Sequence, residues 1–250
     1  MKIAVAGGTG VAGRPTVDAL RALGHEPVVI ARSAGVDLVS GKGLAEALTG
    51  TDAVIDTTNI NAISARASIG FFEATARNLT QAAELAGVGH IVALSIIGID
   101  RVPVGYYQGK LRQEQALRAS GVPVSILRTA QFHEFPVQYL ARTKRRFVIV
   151  PKMRTQPVAV REVAAALARI AVGSPIAAAE LAGPREEVLA DMVRQVIRAR
   201  GGGRQVIEVR VPGRAGQAMA AGGALPDEPG QRGRQTFAEW LREQAASGAL

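Results

Sequence analysis

Tyr106 and Lys110 lie four positions apart in the sequence Tyr-Tyr-Gln-Gly-Lys, at the start of a segment with helical periodicity. Residues with this spacing share one face of a helix, so the phenol and the ammonium are expected to be neighbours. An ammonium stabilises a phenolate, and it would lower the pKa of the tyrosine towards the range in which a proton donor works. Tyr107 lies three positions before Lys110; the spacing favours Tyr106 and leaves Tyr107 as the alternative.

Ser95 ends the apolar segment His90-Ile-Val-Ala-Leu-Ser95, which predicts a strand. Ligands of open parallel sheets bind outside the carboxyl ends of the strands. A hydroxyl at this place could therefore orient a substrate carbonyl while Tyr106 protonates it. The alternative is that Ser95 only makes a hydrogen bond at the end of its strand.

The first residues of the chain run from an apolar strand through a glycine-rich turn into a helix. Gly7, Gly10 and Gly13 form GxxGxxG, whereas Gly8, Gly10 and Gly13 form GxGxxG, and both spacings remain open. A turn of this kind before a helix N-terminus binds the pyrophosphate of a dinucleotide. No GK[ST] follows, which argues against a nucleoside triphosphate loop. The cofactor contacts expected in this turn are Gly7, Gly8, Thr9, Gly10, Val11, Ala12 and Gly13.

Arg32 and Ser33 follow the second predicted strand, and no acidic residue occurs between Pro27 and Val36. An acid in this position binds the ribose 2′-hydroxyl of NAD, whereas an arginine accommodates the 2′-phosphate of NADP. The sequence therefore predicts NADP (NADPH), with NAD less favoured, and Arg14 is a second cation that could reach a phosphate. The other expected cofactor contacts are Asp37 and Leu38 at the adenine, Thr57, Thr58 and Asn59 after the third strand, and Lys110 at the nicotinamide ribose.

Short apolar segments alternate with helical ones, which predicts an α/β fold with a doubly wound parallel sheet. The predicted strands are residues 2–6, 27–31, 53–57, 90–95 and 125–128, with a brief or missing strand at 36–39. The predicted helices between them are residues 15–23, 43–48, 65–86 and 106–119. Further along we expect loop and helix at 131–140, strands at 147–150 and 205–211, and helices at 161–171, 185–200 and 237–243. The Gly- and Arg-rich segment 201–234 predicts exposed loop with some mobility.

The composition excludes several classes of site. The chain has no cysteine, so it has no disulfide, no thiolate metal ligand and no cysteine nucleophile. His133 and Glu134 lack a second histidine at metal-ligand spacing, and no metal site is expected. No apolar run reaches the ~18 residues that span a bilayer, and no leader is apparent. We expect a cytoplasmic location and no membrane partner.

The net charge is +9, with 30 Lys and Arg against 21 Asp and Glu. The basic residues look scattered, and the densest cluster is Arg142, Lys144, Arg145 and Arg146. Aromatic residues make up only 4% of the chain and do not alternate with the basic ones, so nucleic acid is not an expected partner. The favoured interpretation is a solvated basic face, and attraction of an acidic substrate or of the cofactor is the alternative.

Four motifs together resemble the NmrA-like branch of the atypical short-chain dehydrogenase/reductases, over residues 1 to about 168. They are Gly7-Gly-Thr-Gly-Val-Ala-Gly13, Leu94-Ser-Ile-Ile-Gly98, Tyr106-Tyr-Gln-Gly-Lys110 and Leu127-Arg-Thr-Ala-Gln-Phe132. Leu181-Ala-Gly-Pro184 and Thr236-Phe-Ala-Glu-Trp240 are similar to bacterial members without an assigned substrate. The resemblance implies a Rossmann fold with a small C-terminal substrate-binding region, and hydride-transfer roles for Ser95, Tyr106 and Lys110. The family's fourth catalytic residue, an asparagine, has no secure counterpart among Asn59, Asn61 and Asn78.

We therefore predict one NAD(P)-binding domain, with a dinucleotide-binding core at 1–130 and a substrate-binding part at 131–250. Phe132, His133 and Phe135 follow the strand that carries Arg128, and they are expected to line the substrate pocket; for His133 a structural hydrogen bond is the alternative. The predicted activity is NADP-dependent hydride transfer to a small carbonyl, quinone or enone. The alternative is a non-catalytic NADP(H)-binding redox sensor, because some family members regulate instead of catalysing. The sequence leaves the substrate and the oligomeric state open.

Overall fold

The computed structural model describes residues 1–61, 64–227 and 230–250. The helices are α1 Gly13–Ala22, α2 Leu44–Ala47, α3 Ala65–Leu85, α4 Gly105–Arg118, α5 Phe135–Ala141, α6 Val160–Val172, α7 Leu189–Ala199, α8 Gly213–Ala220 and α9 Phe237–Ala246. The strands are β1 Lys2–Ala6, β2 Glu26–Ile30, β3 Ala53–Asp56, β4 His90–Ile96, β5 Val124–Thr129, β6 Phe147–Pro151, β7 Arg154–Thr155, β8 Ala178–Ala182, β9 Glu187–Val188, β10 Gln205–Val209 and β11 Gln231–Arg232. None of the described helices is long and apolar enough to cross a membrane.

The chain divides into two compact units. The first unit comprises Met1–Ile96, Val104–Arg128 and Val160–Ala179, and the second comprises Ile97–Pro103, Thr129–Ala159 and Glu180–Leu250. This division differs from the predicted boundary after residue 130 in two places. The segment with α6 belongs to the first unit because α6 packs on α1, β3 and β4, and residues 97–103 belong to the second.

The first unit contains a parallel sheet with the strand order β5-β4-β3-β1-β2. β1 pairs in parallel with β2 and β3, and β3 pairs in parallel with β4. Alternate residues of these strands, such as Ala4, Val54 and Ile91, share a buried cluster with Ala76 and Leu79 of α3. The opposite face meets α1 and α6, so helices cover both faces of the sheet. The predicted α/β fold with a doubly wound parallel sheet is confirmed.

The second unit has its own core beneath two short sheets. β6 and β10 pair in parallel, and β7 and β9 pair antiparallel. Val148, Val150 and Val196 form a buried cluster with Trp240 and Leu241 of α9. Helix α9 begins in a capping box, in which Thr236 and Glu239 satisfy each other's backbone N–H groups. The predicted docking of a terminal helix through Trp240 and Leu241 is confirmed.

The predicted secondary structure agrees best with the structure in the first unit. The bounds of its five predicted strands lie within one residue of the observed bounds at each end. The brief strand considered at 36–39 is absent from the described chain, and a single 3₁₀ turn at Arg32–Ala34 follows β2 instead. The segment 201–234 is more ordered than predicted, since it contains β10, α8 and β11. Residues 228 and 229 of that segment lie outside the described residues.

Candidate functional site

The glycine turn connects β1 to α1 and requires glycine at two positions in particular. Gly7 has a φ of 75°, and Gly10 donates its backbone N–H to the Gly7 oxygen at 2.8 Å. A Cβ on Gly13 would lie 2.1 Å from that same oxygen, so no larger residue fits there. Because the tight turn with positive φ falls on Gly7, the geometry corresponds to the spacing of Gly7, Gly10 and Gly13.

Helix α1 begins directly after this turn without a side-chain cap. Its N-cap residue is Ala12, and its first turn contains no acidic residue. The positive end of the helix therefore points at the turn with no carboxylate to neutralise it, which suits an anion. Arg14 braces the turn, since its Nε donates to the Thr9 oxygen at 2.8 Å.

Arg32 and Ser33 are exposed in the 3₁₀ turn that follows β2. Asp37, further along the same loop, accepts hydrogen bonds from the Ser40 hydroxyl and the Val39 N–H. These bonds, with a smaller contribution from the charge of Arg32, hold the pKa of the Asp37 carboxyl below its ordinary value. The carboxylate of Asp37 thus stabilises its own turn.

Leu38, expected at the adenine, has a buried side chain that belongs to the core of the first unit. Asn78 of α3 donates from Nδ2 to the backbone oxygens of Leu38 and Val39, at 2.9 and 2.8 Å. These bonds fix the loop against α3. Asn78 therefore has a structural role, which no sequence pattern indicated.

The first of the three residues after β3, Thr57, lies beside the glycine turn. The Thr57 hydroxyl donates to the Ala6 oxygen at 2.8 Å, and a Cβ on Gly7 would lie 3.0 Å from the Thr57 oxygen. The Thr58 N–H donates to Asp56 Oδ1 at 2.9 Å. The side chain of Asn59 accepts a hydrogen bond from the Tyr106 hydroxyl at 2.7 Å. The structure thus brings Tyr106 to Asn59, two residues beyond the threonine that borders the glycine turn.

The Tyr106 ring packs edge-on against Phe72, with 5.8 Å between the ring centroids. Burial raises the pKa of the Tyr106 phenol above its ordinary value, and Tyr107 adds to the effect. The expected lowering of this pKa by Lys110 is therefore wrong for this arrangement. The phenol stays protonated at neutral pH and can act as a donor.

Lys110 is buried, with 3% of its surface exposed. Its Nζ donates to the Leu94 oxygen at 2.6 Å and to Gln113 Oε1, and it lies 4.8 Å from the centroid of the Phe72 ring. Burial lowers the pKa of Lys110 to about 8, although the carboxylates of Asp56 and Glu114 act in the opposite direction. In the described part of the chain, the ammonium thus bonds to Leu94 of β4 and Gln113 of α4 instead of the Tyr106 hydroxyl.

Two buried polar groups continue from Lys110 along the inner face of α4. Gln113 Nε2 donates to Asp56 Oδ2 at 2.7 Å and to the Thr58 hydroxyl at 3.2 Å. Glu114 binds Arg128 with both carboxylate oxygens, at 3.0 and 2.9 Å. Sequence reasoning missed Asp56, Gln113, Glu114 and Arg128 as parts of this site. The signal was the spacing of positions 110, 113 and 114, which places three polar residues on one helix face.

The Ser95 hydroxyl donates to Glu114 Oε1 at 2.5 Å, and Ser95 is 2% exposed. This placement matches the alternative of a hydrogen bond at the strand end. Its role with a substrate carbonyl stays a prediction.

The predicted pocket residues Phe132, His133 and Phe135 belong to the second unit. His133 is fully buried, with Nε2 at 3.1 Å from the Gln235 oxygen and its ring 5.8 Å from the ring of Trp240. This placement matches the alternative of a structural hydrogen bond. Phe132 and Phe135 are half-buried, and Phe135 packs against the core of the second unit. Among the described residues, no group of three or more His, Asp and Glu could hold a metal ion.

Comparison with protein families identifies the family of the chain. The sequence profile of the NAD(P)H-binding family matches residues 7–172, which include the glycine turn, Ser95, Tyr106 and Lys110. The chain belongs to the NAD(P)H-binding family. This membership confirms the NAD(P)-binding part of the resemblance that the four motifs predicted. Among curated proteins, none matches this chain.

Several solved structures share the fold over nearly the whole length of this chain. The NADPH-dependent quinone oxidoreductase of Escherichia coli, complexed with NADPH, is 19% identical, with a TM-score of 0.73 over 96% of this chain and 99% of that chain. The triphenylmethane reductase of Citrobacter sp., complexed with NADP(H), is 18% identical, with a TM-score of 0.71 over all of both chains. The UDP-glucose 4-epimerase of Thermotoga maritima is 13% identical, with a TM-score of 0.76 over 98% of each chain. These identities show a shared fold, and the fold serves both reductases and epimerases.

Proposed function

We propose that this protein is an NADPH-dependent oxidoreductase that transfers hydride to a small carbonyl, quinone or enone. The observation that carries the proposal is the hydrogen bond of 2.7 Å between the Tyr106 hydroxyl and Asn59. It puts a protonated phenol at the segment that follows β3, two residues beyond Thr57, which borders the glycine turn, at the strand ends where such folds bind their ligands. The E. coli quinone oxidoreductase and the Citrobacter reductase, which share the fold, support this class of reaction.

The residues around the glycine turn fit a dinucleotide. Gly13 leaves a space that a Cβ would fill, and the N-terminus of α1 has neither a cap nor an acid. Arg32 and Ser33 are exposed where a 2′-phosphate would lie, and Asp37 is engaged with its own turn. A guanidinium pairs strongly with a phosphate. These features support NADPH over NADH.

In the proposed reaction, bound NADPH supplies the hydride, that is, one proton and two electrons. The Tyr106 phenol donates its proton to the substrate oxygen, on which negative charge develops as the carbon is reduced. The products are the oxidised cofactor and an alcohol from a carbonyl, a hydroquinone from a quinone, or an enol, which becomes the saturated ketone, from an enone. Asn59 accepts from the Tyr106 hydroxyl in the free protein and holds it at this place until a substrate oxygen replaces the amide oxygen. Tyr106 recovers its proton from solvent.

The test is the loss of NADPH absorbance across a panel of quinones, enones and aldehydes. We expect Tyr106→Phe to lower kcat by about 10²-fold or more, which is the usual contribution of a positioned proton donor, and to leave NADPH affinity unchanged. Tyr107→Phe is the matched control, because it removes a hydroxyl from the adjacent tyrosine, and it should retain activity. Full turnover in Tyr106→Phe would contradict the proposed role of this residue.

A second candidate is a redox sensor that binds NADP(H) without turnover. The observation in its favour is that Ser95 donates to Glu114 and Lys110 donates to Leu94, so two of the three expected catalytic groups are engaged inside the protein. A sensor should bind NADPH and NADP⁺ with different affinities by calorimetry and oxidise NADPH with none of the panel. Turnover of any panel member that depends on Tyr106 rules it out.

A further inference from the structure

The excess positive charge of the chain is concentrated in two segments, residues 142–152 and 198–214. Together they contain ten Lys and Arg and a single acidic residue, Glu208. The difference equals the net charge of +9 of the whole chain, so the remaining residues sum to zero. The basic residues are spread along the chain as expected, but their excess over acidic residues is confined to these two segments.

Strands β6 and β10 bring these two segments side by side in the second unit. Ile149 is the register partner of Ile207. At one end of the strand pair, Arg204 donates to the backbone oxygens of Thr143 and Arg145, at 2.6 and 3.1 Å. At the other end, the N–H of Lys152 donates to the Val209 oxygen at 2.8 Å. Side chains of Lys152 and Arg210 line a common cavity of about 330 Å³. Cations thus lie at both ends of the strand pair.

The outer face of the strand pair is mainly apolar, and we call it the β6–β10 face. It presents Phe147, Ile149 and Ile207, which are 52%, 59% and 45% exposed, together with the exposed Gln205 opposite Phe147. The alternate residues Val148 and Val150 are fully buried against the core of the second unit. Strands of five residues make this face about 17 Å long. Large apolar side chains exposed together, with a charged rim, mark an interaction surface.

We propose that the β6–β10 face docks on the surface of a lipid bilayer that contains anionic lipids. Basic residues near such a surface are attracted to the anionic head groups. Apolar side chains between them can enter the boundary between head groups and acyl chains. The face presents both features within one strand pair. The proposal differs from the sequence-based expectation of no membrane partner, and it is independent of the reaction proposed above.

The chemistry of the face favours lipid over three other occupants. Nucleic acid is bound through bases stacked on aromatic rings, and Phe147 is the single aromatic residue in the two basic segments. A second copy of the chain would bring its own excess of positive charge against this one. An acidic protein would match the charge, but the apolar residues here lie on the outer face of a sheet, whereas peptide recognition uses a groove or a free strand edge.

The experiment is co-sedimentation of the full chain with vesicles of phosphatidylcholine, with and without phosphatidylglycerol. We expect binding only with phosphatidylglycerol, and weaker binding at high salt because the Debye length shortens. Ile149→Ser and Ile207→Ser should each weaken binding about tenfold, since each removes an aliphatic side chain from the lipid. Arg145→Glu with Arg146→Glu should abolish it. All four positions are exposed, and thermal unfolding will verify that the variants remain folded.

Two control variants outside the face distinguish specific docking from nonspecific binding to vesicles. Leu85→Ser changes an apolar residue that is 81% exposed on the first unit, and Lys42→Glu changes an exposed lysine there. Neither should alter vesicle binding by more than about twofold. The proposal is overturned if phosphatidylcholine alone binds equally well or if the controls weaken binding as much as the face variants. It is also overturned if the isoleucine variants bind normally, or if DNA, polyglutamate or a second copy of the chain occupies the face in preference to vesicles.

Discussion

Lys110 carries its ammonium inside the first unit, and this location makes the stability of the protein depend on pH in an unusual direction. Burial lowers the pKa of Lys110 from 10.5 to about 8. At a pH between these two pKa values, Lys110 has released its proton in the folded protein but still holds it in the unfolded chain. The free energy of unfolding therefore rises with pH across this window, since stability increases wherever the unfolded chain binds more protons.

The magnitude follows from the size of the shift. A pKa difference of about 2.5 units corresponds to about 3 kcal/mol of unfolding free energy once the pH exceeds 10.5. Between pH 7 and about 9.5 the linkage relation gives a rise of about 2 kcal/mol. Cysteine, which would titrate in the same range, is absent from the chain. Tyr106 acts in the opposite direction at higher pH, because its raised pKa makes the folded protein retain a proton that unfolded tyrosine loses above about 10.

The assay is urea denaturation at the two pH values. Wild-type protein should gain about 2 kcal/mol at the higher pH, whereas Lys110→Met, which has nothing to titrate at this position, should not. Lys42→Met removes an exposed lysine and should retain the wild-type rise. A wild-type free energy that is flat or falls with pH, or a full rise in Lys110→Met, would refute the reasoning. Either result would mean that Lys110 is solvated or tightly paired in the folded protein.

Three further substitutions test the site, and a fourth, Gly70→Ala, serves as a control. Arg32→Ala should weaken NADPH binding about 10- to 100-fold in calorimetry, because charge-assisted hydrogen bonds contribute about 1.5–3 kcal/mol. NADH binding should stay within twofold of the wild-type value. An equal loss for both cofactors would contradict the phosphate contact. Gly13→Ala should abolish cofactor binding, because its Cβ would lie 2.1 Å from a backbone oxygen. Gly70→Ala in α3, where a Cβ meets nothing within 4 Å, should instead stabilise the fold by about 1 kcal/mol in thermal unfolding. Glu114→Gln leaves the charge of Arg128 unbalanced and should cost roughly 3 kcal/mol in urea denaturation; an unchanged midpoint would show that this pair is not stabilising.

The features that could be predicted from the sequence are those that neighbouring residues determine. The five strands of the first unit are short apolar segments bounded by turns, and the glycine turn at residues 7–13 is specified by its own spacing. The helix that carries Tyr106 and Lys110 is predicted at residues 106–119 by its periodicity, and α4 spans Gly105–Arg118. Each of these patterns acts within a few residues of the chain, which is the range that sequence periodicity reports.

The features that could not be predicted depend on contacts between distant segments. Lys110 bonds to Leu94 and Gln113 because β4 packs beside α4, and no spacing pattern gives that orientation. His133 is buried because Gln235 and α9 return to it from a hundred residues further along the chain. The β6–β10 face exists because two strands separated by two helices pair with each other. Local patterns hold no information on such pairings.

Outside residues 142–152 and 198–214 the charges of the chain sum to zero, so a ligand bound to these two segments can change how the protein associates in solution. All of the net charge that keeps copies of the chain apart in solution lies in residues 142–152 and 198–214. Any polyanion that neutralises these segments leaves a particle with no net charge, and such particles associate readily. Occupied molecules should therefore cluster while free ones stay dispersed, so that turbidity or light scattering would report on ligand binding without any label.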